Sequence, residues 1–86
     1  MPSISRFYGI LIYLYYRDHP PPHLHAKYGG DEALFNMQNF EVIEGKLPKR
    51  AMRLVKEWME LHKEELIANW ERVKEYQEPV QIKPLD

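Results

Sequence analysis

Asp18-His19-Pro20-Pro21-Pro22-His23-Leu24-His25-Ala26 places three of the chain's four histidines within seven residues, braced by three consecutive prolines. Imidazole titrates near neutral pH, binds divalent metals and acts as a general base, so this stretch is where chemistry would be sought first. Histidines two apart on a strand point the same way, with Cα atoms about 6.6 Å apart, so the rings of His23 and His25 can converge on one ion. His19, on the stiff proline corner, could supply a third nitrogen. Three protein ligands and an open position describe a catalytic zinc site, in which bound water becomes acidic enough to attack an ester or phosphate. In that reading His19, His23 and His25 are the metal-binding and catalytic residues, zinc or a similar divalent ion is the cofactor, and Asp18 and Tyr15 support the ligands. The same residues also admit metal-free general-base chemistry, or a purely structural hydrogen-bonded corner. Ser3 and Ser5 are the only serines, and neither stands in a nucleophile-elbow context.

The flanking residues supply a frame. Ile10 to Tyr16 is β-branched and aromatic without a breaker, the strongest strand signal in the chain. Ile10, Ile12, Leu14 and Tyr16 fall on one face, and Leu11, Tyr13 and Tyr15, followed by Arg17, on the other. Residues 23–28 and 31–37 flank Gly29-Gly30, a pair suited to the positive φ values of a type I′ hairpin turn. That turn pairs Tyr28 with Asp31, Lys27 with Glu32, Ala26 with Ala33, His25 with Leu34 and Leu24 with Phe35. Opposite charges then meet on one face and apolar pairs on the other. Leu24, Ala26, Ala33 and Phe35 share the core face, and His23, His25 and Lys27 lie opposite it. If the first strand pairs through the proline loop with matching faces, Tyr13, Tyr15 and Arg17 join the histidines. Met1 to Arg6 either adds a lead-in strand through Ile4 or covers one end of the core, and a further strand over roughly 40–44 ends at Gly45.

Pro48 suits the first position of a helix. Beyond it Val55, Trp58, Leu61 or His62, Leu66, Trp70 and Val73 recur every three or four residues, predicting a long amphipathic helix, or two segments with a bend near 62–64, to about Tyr76. Trp58 and Trp70 read as core aromatics and His62 as a boundary residue. The fold expected is α+β, a small antiparallel sheet of three to five strands covered on one face by this long C-terminal α-helix. Residues 1–78 would form one domain and 79–86 an extended tail, in which Val80 and Ile82 dock or fray.

The helix charges run against its dipole. Lys46, Lys49, Arg50, Arg53 and Lys56 gather at its start, while Glu57, Glu60, Glu64, Glu65, Glu71, Glu75 and Glu78 dominate later. One reading is a solvated face. The other is a phosphate or nucleic-acid footprint made by Lys49, Arg50 and Arg53, with Arg17 and Lys27 holding phosphate beside the histidines.

The 86 residues suit one domain with a small core. A hydrophobic content of 44% and aromatic content of 13% argue against disorder, and a net charge of -1 gives no general attraction to nucleic acid. Without cysteine there is neither a disulfide framework nor a thiolate site. The longest apolar run, residues 9–16, is far too short to span a bilayer, and no signal-peptide pattern is seen, so a cytoplasmic location is expected.

Three stretches carry a family resemblance: Pro2-x-Ile4-Ser5-x-Phe7-x-Gly9-Ile10; Asp18-His19-x-Pro21-Pro22-His23-x-His25-Ala26-x-Tyr28; and Leu54-Val55-x-x-Trp58-x-x-x-His62-x-x-Glu65-Leu66-x-x-x-Trp70. Together they resemble, over nearly the whole chain, a family of short prokaryotic proteins catalogued as domain of unknown function 4160. That family has no established activity. The resemblance implies a partner, a small protein encoded by a neighbouring gene and catalogued as domain of unknown function 2442, in an arrangement like a toxin–antitoxin pair. The leading expectation is thus a partner-binding component of a two-gene regulatory module. The alternatives are a histidine- or metal-dependent hydrolase or ribonuclease, and a nucleic-acid-binding module using the basic helix start.

Overall fold

A computed structural model describes residues 2–86, so the expected lead-in strand can be assessed from Pro2 onward and Met1 lies outside the described residues. Five strands come first: β1 (Ser3–Phe7), β2 (Ile10–Tyr13), β3 (His23–Tyr28), β4 (Asp31–Asn36) and β5 (Val42–Gly45). They form one antiparallel sheet in sequence order. Two helices follow, α1 (Lys49–Leu61) and α2 (Lys63–Lys74).

The β3–β4 register is the one that the alternation of residue types requires: Tyr28 opposite Asp31, Lys27 opposite Glu32, Ala26 opposite Ala33, His25 opposite Leu34 and Leu24 opposite Phe35. The turn chemistry differs from a type I′ pair, because Gly29 has φ 58° while Gly30 lies outside the left-handed region. One left-handed residue suffices to close this turn. The two-positive-φ turn lies instead at Tyr8 (φ 50°) and Gly9 (φ 80°), joining β1 to β2.

Leu24, Ala26, Ala33, Phe35, Ile10 and Ile12 are all fully buried on one sheet face. The helices cover that face with Ala51, Val55, Trp58, Met59, Leu66, Trp70 and Val73. In place of one long helix there are two, the two-segment form of the expectation, divided at His62. His62 leaves helical geometry (φ -125°, ψ 26°), its N–H shared between the carbonyls of Trp58 and Met59 at 3.1 and 3.2 Å. The division also resolves part of the charge pattern. Glu64 and Glu65 become the first turn of α2 and Arg72 and Lys74 its last, both favourable to the helix dipole. Pro48 precedes α1 as its cap, with extended geometry (ψ 149°), one residue earlier than a first helical position.

The expected strand to Tyr16 ends at Tyr13 because the chain turns to close α2. Arg17 adopts φ 51° and its N–H bonds the carbonyl of Val73 at 3.0 Å. Tyr76 (φ 59°) and the Gln77 N–H on Arg72 (2.8 Å) complete a Schellman-type end to α2. Beyond it residues 79–86 pack back on the domain. The Ile82 N–H reaches the Ile4 carbonyl at 2.8 Å, and the indole of Trp58 donates to the Lys83 carbonyl at 2.9 Å. The buried Asn69 side chain clasps Val80 twice, donating to its carbonyl (2.8 Å) and accepting from its N–H (2.9 Å).

Gly45 has φ 77°, and a Cβ there would stand 2.2 Å from the Glu32 carbonyl oxygen. Gly45→Ala should therefore lower unfolding free energy by about 2 kcal/mol or more, as measured by urea denaturation, because backbone strain and a backbone clash add.

Candidate metal centre

The histidines are set by the two-residue period of β3, which sends His23 and His25 to the face opposite the core while Leu24 between them enters it. Both are nevertheless buried, 6% and 7% exposed. Tyr13, opposite His25 on β2, stacks on its ring at 5.0 Å between centroids and 17° between planes, and Tyr15 meets it edge-on at 4.6 Å. Trp70 of α2 lies 5.3 Å from the His23 ring.

Asp18, at the head of the proline corner, brings the two imidazoles together. Its Oδ2 is 2.9 Å from His23 Nε2 and 3.1 Å from His25 Nε2. Its Oδ1 accepts the His19 N–H at 2.8 Å. Across the corner, whose Pro20–Pro21 bond is cis, His23 Nδ1 lies 2.8 Å from the Pro21 carbonyl oxygen. Burial alone would push the Asp18 carboxyl up; the hydrogen bond from His25, that from the His19 N–H, and the charges of His23 and His25 outweigh it and hold the group below its usual range.

These contacts restrict the protons. The Pro21 carbonyl can only accept, so His23 Nδ1 carries hydrogen. Its Nε2 then faces an ionised carboxylate. Two acceptors at 2.9 Å repel, so either Nε2 is also protonated or a cation lies between ring and carboxylate. Asp18, His23 and His25 offer one donor atom each, all within 4.8 Å of one another, a set that could hold a metal. Two imidazoles and one carboxylate suit zinc and other first-row divalent ions. A histidine ligand whose other nitrogen is held by a backbone carbonyl is a frequent arrangement around such ions.

The third member of the group is Asp18, where the sequence suggested His19. The His19 side chain is exposed, and only its backbone enters the site. Tyr15 is beside His25 as expected, but Arg17 is not. Capping of α2 carries it away, and its guanidinium sits 5.4 Å over the Tyr76 ring. Lys27 remains on the histidine face, exposed, opposite Glu32. Lys49, Arg50 and Arg53 lie at the start of α1, where Arg50 stacks on Tyr8 (5.7 Å) and lines a crevice with Tyr28. Tyr28 is the far end of β3 from His23, about 16 Å along the strand, so Arg50 stands apart from the histidines, and Lys49 and Arg53 line a separate groove. His62 is a boundary residue, its Nδ1 bonded to Glu65 at 2.6 Å.

Sequence reasoning gave Glu32 no part in the site. Its Oε2 accepts from the Tyr13 hydroxyl and lies 3.7 Å from His25 Nδ1. The signal was present in the hairpin register, which puts Glu32 two residues diagonally from the partner of His25.

Burial, then the hydrogen bond and charge of Glu32, push the Tyr13 phenol well above its usual range. A group with a raised folded pKa contributes stability fully present below its unfolded value, about 10, and lost as pH rises beyond it. In a spectrophotometric alkaline titration Tyr13 should remain protonated until the chain unfolds. Tyr13→Phe should flatten the fall of stability above pH about 10 relative to wild type.

No curated protein and no solved structure matches the chain, and among the described residues no helix is long and apolar enough to cross a membrane. Residues 9–71 match the family model described as Domain of unknown function (DUF4160), a span that holds β2 to β5, all of α1, most of α2 and the whole Asp18/His23/His25 group, and the chain belongs to that family.

Proposed function

We propose that the chain binds one divalent metal ion through Asp18 Oδ2, His23 Nε2 and His25 Nε2 and uses it in hydrolysis. The observation that carries this reading is the meeting of both Nε2 atoms on one carboxylate oxygen while His23 Nδ1 is committed to a backbone carbonyl. Tetrahedral zinc separates such ligand atoms by about 3.3 Å, so each imidazole needs to part from the Asp18 oxygen by only a few tenths of an ångström, from 2.9 and 3.1 Å, to admit the ion. With Asp18, His23 and His25 as its three protein ligands, a bound ion would keep a position for water and would supply the acidity that makes that water a nucleophile.

The surroundings narrow the substrate. A cleft of about 370 Å³ beside His25 is lined by Tyr15, Glu32, Leu34, Glu44 and Gly45. Two carboxylates there disfavour a polyanion, and the basic residues of α1 stand elsewhere. The cleft meets the metal group only at His25, with neither Asp18 nor His23 in its lining, so it bears on what approaches the site, and there an uncharged or cationic ester or amide is favoured over RNA.

A second reading, as the partner-binding member of a two-gene module with a protein of the domain of unknown function 2442 type, draws support from a separate feature. A groove of about 590 Å³ along α1 has the half-buried Met52 over the buried Leu47 at its floor, between Lys49, Arg53 and Lys56 on one hand and Glu57 and Glu60 on the other. Co-expression with that neighbour should yield a complex that Met52→Asp weakens; separate elution of the two proteins would remove this reading.

For the metal centre, untagged protein stripped with chelator and titrated with zinc by calorimetry should bind one ion per chain. Asp18→Ala, His23→Ala and His25→Ala should each weaken binding by more than about 100-fold, exceeding the 10–100-fold typical of residues behind the ligands. His19→Ala should bind like wild type. Equal binding by wild type and His25→Ala would overturn the assignment. Metal-loaded wild type should cleave a chromogenic ester in preference to a phosphodiester, and His23→Ala should not.

A further inference from the structure

Resting on that metal reading, we infer that Glu32, fixed by the hydroxyl of Tyr13, is the positioning residue that makes His25 an Nε2 ligand. His25 Nδ1 is buried and has no hydrogen-bond partner among the described residues, the only such side-chain nitrogen. Without metal this is consistent: Nε2–H donates to Asp18 Oδ2 at 3.1 Å and Nδ1 is left with a bare lone pair. That lone pair faces Glu32 Oε2 across 3.7 Å, beyond hydrogen-bond reach.

A metal on His25 Nε2 removes the hydrogen there, and a neutral ring must then carry its proton on Nδ1. Nδ1–H is a donor in a buried place, and the Glu32 carboxylate is the acceptor within reach. Closing 3.7 Å to about 2.9 Å takes less than an ångström of side-chain movement. Glu32 has that freedom, being 41% exposed, whereas the His25 ring is held between Tyr13 and Tyr15. Tyr13 directs the carboxylate. Its ring is 2% exposed and stacked on His25, so its hydroxyl holds Glu32 Oε2 on the side of the imidazole away from Asp18. The cross-strand register places all three: Tyr13 opposite His25, and Glu32 diagonal to it. The metal-free arrangement thus holds an acceptor in place for a donor that only the metal-bound tautomer possesses.

The test uses the full untagged chain labelled with ¹⁵N-histidine, with zinc added to chelator-stripped protein. In wild type, zinc should convert His25 from the Nε2–H to the Nδ1–H tautomer. Glu32→Ala should bind zinc about 10–100-fold more weakly. Glu32→Gln retains an oxygen acceptor and should recover much of that loss, and Tyr13→Phe should fall between it and Glu32→Ala. Urea denaturation of the metal-free variants separates affinity from stability. If Glu32→Ala changes stability alone and binds zinc with wild-type affinity and the same tautomer switch, the inference is wrong although the metal reading stands. If wild type binds no zinc, both fall. If Glu32→Ala does not fold, Glu32→Gln and Tyr13→Phe decide, and wild-type affinity in both would overturn the role of Glu32.

Discussion

The register of β3 on β4 is the constraint on which the remainder of this structure depends. A one-residue slip would send His23, His25 and Lys27 into the core and Leu24 and Ala26 to the outer face. What prevents the slip is the loss it would bring on both faces at once. Leu24 and Ala26 would leave a fully buried layer, and two imidazoles would enter it without partners. The two-residue loop with Gly29 in the left-handed region satisfies that register. Because β2 pairs with β3 as well, the same choice brings Tyr13 over His25, and because Glu32 stands diagonal to His25 it brings the carboxylate too.

A polar chain results, buried along most of its length, running from the Pro21 carbonyl through His23, Asp18 and His25 to Glu32 and Tyr13. Nearly every polar atom in it is matched, and the one gap lies at His25 Nδ1. A corner built only to hold the loop would close that gap with a hydrogen-bond donor at the position of Glu32, since an unmatched buried nitrogen costs about 1–3 kcal/mol. Keeping a carboxylate near it, just out of reach, fits a site in which the two partners meet in another state. The same polar chain explains why Asp18 and Tyr13 move in opposite directions: hydrogen bonds from His25 and the His19 N–H hold the Asp18 carboxyl down against its burial, while burial and then the Glu32 carboxylate hold the Tyr13 phenol up.

Much of this was legible in the sequence where two independent signals agreed. The alternation on both sides of Gly29-Gly30 and the pairing of Lys27 with Glu32 fixed a register that the fold repeats pair for pair. The β1–β2 hairpin was not legible because Tyr8 takes the first left-handed position, and tyrosine gives no turn signal; Arg50, from a distant helix, stacks on it. Arg17 was misplaced for a related reason. Its strand pattern continues past Tyr13, but the end of α2 requires its N–H, and a contact between residues 17 and 73 has no local signature. His19 and Asp18 exchanged parts because spacing alone counts imidazoles and does not show that an aspartate side chain folds back onto the following N–H.

The break at His62 shows how charge can locate a boundary that hydrophobic periodicity passes over. Val55, Trp58, Leu66, Trp70 and Val73 stay in phase across it, so the apolar stripe reads as one helix. Read as one helix, the glutamates of the second half oppose the dipole. Read as two, Glu64 and Glu65 sit at an N-terminus and Arg72 and Lys74 at a C-terminus. The lysines and arginines at the start of α1 keep their unfavourable places, with no acidic residue in that first turn. They are among the charges that local helix stability does not explain, and Lys49, Arg53 and Lys56 flank the groove at Leu47 and Met52. The chain thus carries two surfaces with different physical demands, one polar and enclosed by a sheet face, one apolar and open along a helix. The sheet register fixes the first and leaves the second free to vary with whatever it meets.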